Sequence, residues 1–366
     1  MRATICTIVA ATVLAASPAL AHDDTSGATF WKAVQANCGA TAAKPASELG
    51  RRIAQAAIDE FYRFGGHEID ANGRLFRFGL TEAEHEAEEG PPARQAPLGE
   101  LGWWQVMKYW RTLYGDTAPD DLEVRGYRDA STSAQGEQVA PLLRTTAAQM
   151  LRDAEAASDS AEREILREAA LRAAIVDTPW SAAFVSYVTR RAGATEKQFR
   201  FSNAHRDYIY DAFATSAAEL NSKDAGERLY RACPLNAATP RPGDLICAQY
   251  EAALADTRAA AVRERIRTEL GGSPDARSVR HTHCEVVASI DAPARKMYAI
   301  SGNVYQAVSA RKLNLRGDLK FSPAQNGHCG GPGDWTLPPP SFGAPASRSK
   351  KCSLNDEKWF VLLQLR

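Results

Sequence analysis

Neither sign of charge is in excess in this chain: 44 Lys and Arg residues stand against 44 Asp and Glu residues. That balance excludes a polybasic face for nucleic acid or for an anionic membrane surface. No Cys-x-x-Cys and no His-x-x-x-His occurs, so the spacings that build structural zinc sites are missing. Beyond the N-terminal segment no apolar run is long enough to cross a bilayer. No cysteine stands directly after Ala21, which argues against a lipid-anchored mature form. These absences leave a chain of 366 residues, enough for one large domain or two modest ones.

What is present begins with the form of a bacterial Sec-type signal peptide over residues 1–21. Arg2 supplies the positive charge, Ile5 to Ala16 the apolar run, and Ala19-Leu20-Ala21 the small-residue cleavage site. The expected location is periplasmic or secreted. Cys6 leaves with the signal, and Cys38, Cys233, Cys247, Cys284, Cys329 and Cys352 remain. In an oxidising compartment at least one disulfide among them is expected, although spacing does not fix the pairing.

Residues 22–138 read as a helical N-terminal region. Ser47 to Phe64 has a capping serine and an apolar face of Ile53, Ala57, Phe61 and Phe64. Leu98 to Tyr114 carries an aromatic stripe at helical spacing, which is usually core. The acidic stretch from Glu82 to Pro97 reads as a solvated loop, and Gly115 to Gln138 as a linker. Val139 to Ala174 is rich in Ala, Glu and Arg and reads as helix throughout.

Asp177 to Gly193 then forms a short helix, with Thr178 as N-cap and Pro179 at the first helical position. Ser181 falls in its first turn, where backbone N–H groups have no helical partner and negative charge is favoured. A nucleophile with an oxyanion forming beside it would be stabilised there. Taken alone, Ser181 is also an ordinary small polar residue of a first turn. Asn203 to Ala218 reads as a further helix, and His205 near its start has either a site role or a capping one.

Short apolar runs follow. Leu245 to Ala248, entered through Pro242-Gly243-Asp244, His283 to Ile290, Lys296 to Asn303 and Trp359 to Leu365 read as strands. An insertion of helical composition occupies about residues 250–280, and Gln325 to Pro345 is a long loop. A hairpin turn centred on Pro293 places His283 opposite Asn303 and Glu285 opposite Ser301, on shared faces of the sheet. A polar group on the second nitrogen of a histidine fixes the tautomer that a general base needs.

Four blocks together carry a resemblance. Pro-Trp-Ser-Ala-Ala-Phe-Val-Ser-Tyr-Val (179–188), Arg-Pro-Gly-Asp-Leu-Ile (241–246), His-Cys-Glu-Val-Val (283–287) and Gly-Asn-Val (302–304) resemble an uncharacterised bacterial domain family. That family is in turn similar to the CHAP amidases and NlpC-type peptidases, papain-like hydrolases of the cell wall. The resemblance spans about residues 145–366, and residues 139–366 are expected to form the papain-like domain. It implies an α+β fold, an antiparallel sheet of about five or six strands packed on a nucleophile-bearing helix. It implies Ser181 as nucleophile, His283 as base and Asn303, or failing that Glu285, as the orienting residue. The enzymes of those families carry cysteine where this chain has Ser181, and a hydroxyl needs fuller base assistance than a thiol. Cys284 is expected to be either a structural thiol or the partner of Cys247 on the neighbouring strand; Cys247 with Cys284, and Cys329 with Cys352, are the first candidate pairs.

Three functions follow as expectations. The first is a hydrolase of amide bonds in peptidoglycan peptides. The second is a catalytically inert papain-like domain that binds peptidoglycan or a protein partner. The third is a serine esterase or acyltransferase. No cofactor, metal or nucleic acid is implied by any of them.

Overall fold

The computed structural model describes residues 27–83, 102–116, 122–128, 142–156, 159–221, 223–250, 254, 256, 258–325 and 353–366. The signal segment, the acidic stretch after Ala83 and both Cys329 and Cys352 lie outside the described residues.

The order of elements begins α1 (Gly27–Ala42), α2 (Glu48–Arg63), β1 (His67–Ile69), β2 (Leu75–Arg77), α3 (Gly102–Tyr114), β3 (Glu123–Arg128), β4 (Leu142–Thr146), α4 (Ala147–Glu155) and α5 (Ser160–Asp177). It continues α6 (Ser181–Arg191), α7 (His205–Leu220), β5 (Tyr230–Cys233), β6 (Leu245–Gln249), α8 (Ala259–Thr268), β7 (Thr282–Asp291), β8 (Lys296–Val304), β9 (Ala307–Asn314) and β10 (Trp359–Leu365). The fold is α+β. Eight strands form one sheet in the order β2-β1-β9-β8-β7-β6-β10-β5, and β3 pairs with β4 in a separate hairpin.

The sheet is larger than the five or six strands expected and is mixed: β1 runs parallel to β9, while the other ladders are antiparallel. The N-terminal region is not purely helical, because β1 and β2 extend the sheet. Leu142 to Thr146, expected as helix, is strand β4. Its Thr-Thr end has a β-branched preference that the surrounding Ala and Arg residues mask.

Alternation along the strands splits the core in two. Cys247, Cys284, Val286, Ile300 and Ala310 pack with Ile53 of α2, Val106 of α3 and Phe184 and Val185 of α6. Ile246, Val287, Met297, Ala299 and Leu313 face the other way, with Phe30, Val34 and Cys38 of α1. Each layer holds one disulfide: Cys247–Cys284 between neighbouring strands in the first, and Cys38–Cys233 between α1 and β5 in the second.

Helix α6 starts later than the sequence implies. Thr178 is not its N-cap but the C-cap of α5. The Thr178 hydroxyl is committed to Glu123, accepting from its N–H at 2.8 Å and donating to its carbonyl at 3.0 Å. Trp180 stands at the N-cap and supplies no side-chain acceptor. Gly302 of β8 lets the helix settle close: a Cβ there would stand 2.6 Å from the Cβ of Phe184.

Candidate functional site

Ser181 is the first residue of α6 and is partly exposed. Its Oγ lies 2.7 Å from Nε2 of His205, the first residue of α7. The imidazole that meets Ser181 therefore belongs to His205, not to His283 as expected. His205 is 5 % exposed, and its other nitrogen is enclosed. Nδ1 accepts the backbone N–H of Cys284 at 3.2 Å, and the Tyr208 hydroxyl also closes on it.

The Cys284 amide is directed there by strand geometry. Cys247 and Cys284 are opposed with Cα atoms 4.1 Å apart, the spacing of a pair that exchanges no ladder bonds. The Cys284 N–H thus turns away from β6 toward the β8 side. The β7–β8 ladder runs from Asp291↔Lys296 to Val286↔Ile300, so Cys284 lies beyond its end, where the imidazole takes the proton donor.

A backbone amide can only donate. Nδ1 must therefore present a lone pair, and in neutral imidazole the proton then sits on Nε2. In that tautomer Nε2–H donates to Ser181 Oγ, the reverse of the arrangement in which a base takes the hydroxyl proton. Burial, reinforced by the neighbouring His283, holds the His205 imidazole well below its ordinary range, so the ring stays neutral.

His283 lies on the other side of β7. Its ring centroid is 5.0 Å from that of His205, but its Nε2 meets Ser301 Oγ at 2.7 Å. Beside it Arg311 Nε donates to Glu285 at 2.7 Å. Glu285 Oε1 stands 3.7 Å from His283 Nε2, outside hydrogen-bond range. Burial, with the Arg311 charge, lowers His283 to about 3. Burial also raises Glu285 to about 7, with Arg311 opposing. The hairpin register beyond its bulge is the expected one, since Val286 pairs with Ile300, and Ser301 is the residue that meets His283. Asn303, expected in the orienting role, sits with φ 55° in the irregularity between Ser301 and Val304.

His283 fails to reach Ser181 for a geometric reason. Cys284 belongs to the core layer that contains α6, and period-two alternation turns His283 to the opposite face. His205 carried a signal in its spacing: a histidine three residues before a tyrosine at a helix start puts both side chains on one face.

Among the described residues no group of three His, Cys, Asp or Glu is placed to hold a metal ion, and no helix is long and apolar enough to cross a membrane. The two disulfides accord with an oxidising, extracellular setting.

The fold and site together define a mixed α+β domain with a serine–histidine pair at the meeting of two helix starts. Residues 99–365 match the family described as "Uncharacterized protein conserved in bacteria (DUF2272)", and the chain belongs to that family. No curated protein matches the chain, and no solved structure does.

Proposed function

We propose that the Ser181 site is a non-hydrolytic binding site for a carbonyl or carboxylate oxygen, in a papain-like domain that has lost the cysteine of cell-wall hydrolases. The observation that carries this reading is the hydrogen bond from the Cys284 N–H to His205 Nδ1. It makes His205 Nε2 a donor toward Ser181. His205 Nε2–H donates to Ser181 Oγ, which frees the Ser181 O–H to donate outward. The first-turn amides of α6 receive no side-chain cap from Trp180 and point the same way. Peptidoglycan stem peptides, which the resemblance implies, offer acceptors of this kind.

A second reading, hydrolysis of an amide or ester with Ser181 as nucleophile and His205 as base, is favoured by the 2.7 Å contact between them. It requires the other tautomer. Leaving the buried Cys284 amide unpaired costs about 1–3 kcal/mol, or roughly 5- to 150-fold in rate. It also requires an imidazolium in a buried setting with no carboxylate bonded to Nδ1.

The deciding experiment compares wild type, Ser181→Ala and Ser181→Cys on purified stem peptides and on p-nitrophenyl acetate, with binding of the peptides measured in parallel. The binding reading expects peptide affinity that falls with Ser181→Ala and no turnover above that variant's level. Turnover in wild type that Ser181→Ala abolishes would establish the hydrolase instead.

A further inference from the structure

Glu82 is built into the approach to α6, and half of its carboxylate is unused. It follows β2, and its backbone N–H donates to the Gln306 carbonyl at 2.7 Å. Its Oε2 accepts the indole N–H of Trp180, the residue before Ser181. Glu82 is 1 % exposed, yet Oε1 has no hydrogen-bond partner. The residue lines an open cavity of about 500 Å³, together with Arg172, Ala173, Val176 and Asp177 of α5.

We propose that this cavity binds a small ligand through an ammonium group, with Glu82 Oε1 as the acceptor and Asp177 as the supporting charge. A buried acceptor left without a donor is costly, so its persistence calls for a partner. A neutral donor would satisfy Oε1 alone, whereas a cation also relieves the repulsion between the two carboxylates. Burial first, then the Asp177 charge, raises Glu82 to about 7, against the lowering effect of the Trp180 N–H. The Glu82 carboxyl therefore exchanges its proton near neutrality. An incoming ammonium displaces that proton to solvent and leaves a carboxylate–ammonium pair. The remaining charge on the wall, Arg172, stands 3.8 Å from Glu168 on the same helix and 5.9 Å from the Trp103 ring centroid. It limits the cation to the Glu82 end. Nothing in this site depends on whether Ser181 reacts.

The test uses the full chain with ¹⁵N-labelled tryptophan indoles and follows the Trp180 N–H resonance, assigned by its loss in Trp180→Phe. The probes are n-butylammonium and, as a neutral control of equal size, n-butanol. The amine stays charged between pH 6 and pH 8, so the probe itself contributes no pH dependence. The expected result is a saturable shift with n-butylammonium, about ten-fold weaker at pH 6 than at pH 8, as a group half-ionised at about 7 requires. Glu82→Gln should weaken binding at least ten-fold and remove the pH dependence. Asp177→Asn leaves the Trp180–Glu82 bond in place and should weaken binding several-fold, which keeps the test alive if Glu82→Gln does not fold. An equal response to n-butanol, unchanged binding in either variant, or no saturable shift because water fills the cavity would each overturn the proposal.

Discussion

His205 and His283 have ring centroids 5.0 Å apart, and both are held neutral by burial, yet they serve different surroundings. Around His205 the partners are uncharged: a serine, a tyrosine and a backbone amide. Around His283 the setting is ionic, with Glu285 and Arg311 buried beside it and Ser301 closing the ring nitrogen. The first histidine borders a partly exposed serine and is fixed by a tautomer. The second is sealed into a charged network. Proximity to a serine hydroxyl and proximity to charge, which a hydrolytic triad combines in one imidazole, are here divided between two.

The largest expected effect lies on the ionic side. Arg311→Ala leaves Glu285 buried and unpaired and should cost about 3–5 kcal/mol in denaturant unfolding. Glu285→Leu combined with Arg311→Met should recover most of that loss. If the single and double variants are equally unstable, the network is not the organising element proposed for this side of β7.

Next is the disulfide on the helix side of β7. Replacing Cys247 and Cys284 together by Ala removes a disulfide spanning 37 residues and should cost about 2–4 kcal/mol. Its sharper readout is the imidazole ¹⁵N spectrum of His205. A shift of proton occupancy from Nε2 toward Nδ1 is expected if the strand pairing is what aims the Cys284 amide.

On the uncharged side, His205→Ala should cost about 1–3 kcal/mol by leaving that amide unpaired. His205→Asn can place its amide oxygen where Nδ1 was and should cost less. Equal losses in the two variants would mean that packing, not the Cys284 hydrogen bond, is the role of His205.

A further effect is on pH dependence. His283 is lowered from its ordinary 6.5 to about 3, so the folded state binds fewer protons than the unfolded state between those values. Its contribution to stability is present above pH 6.5 and is lost as pH falls toward 3. Unfolding free energies across that window should show a shallower acid limb in His283→Gln than in wild type. Identical limbs would remove the electrostatic half of the comparison.

Much of the sheet's centre is legible in the chain. The runs of β6, β7, β8 and β10 are apolar, bounded by turn residues, and two of them join through a four-residue turn that sets their register. The parallel pairing of β1 with β9 is not legible, because it joins His67 to Ser309 and no local pattern encodes a contact so distant in sequence. Ser181 is legible from the first turn of α6. The identity of its histidine turns on which face of β7 carries the helix, and alternation alone leaves that open. Gly302 is the clue. A glycine inside a strand marks close approach of another element, here Trp180 and Phe184. Its parity assigns Cys284 to the helix side and His283 to the other.

Cys38 and Cys233, the other disulfide, are 195 residues apart. At roughly 5–20 residues made per second, Cys38 exists for about 10–40 s before its partner. Cys247 and Cys284 follow one another within a few seconds on the same scale. Helix α1 therefore carries its thiol through that interval, and the covalent closure of the molecule from its first helix to its sheet edge cannot precede the making of Cys233.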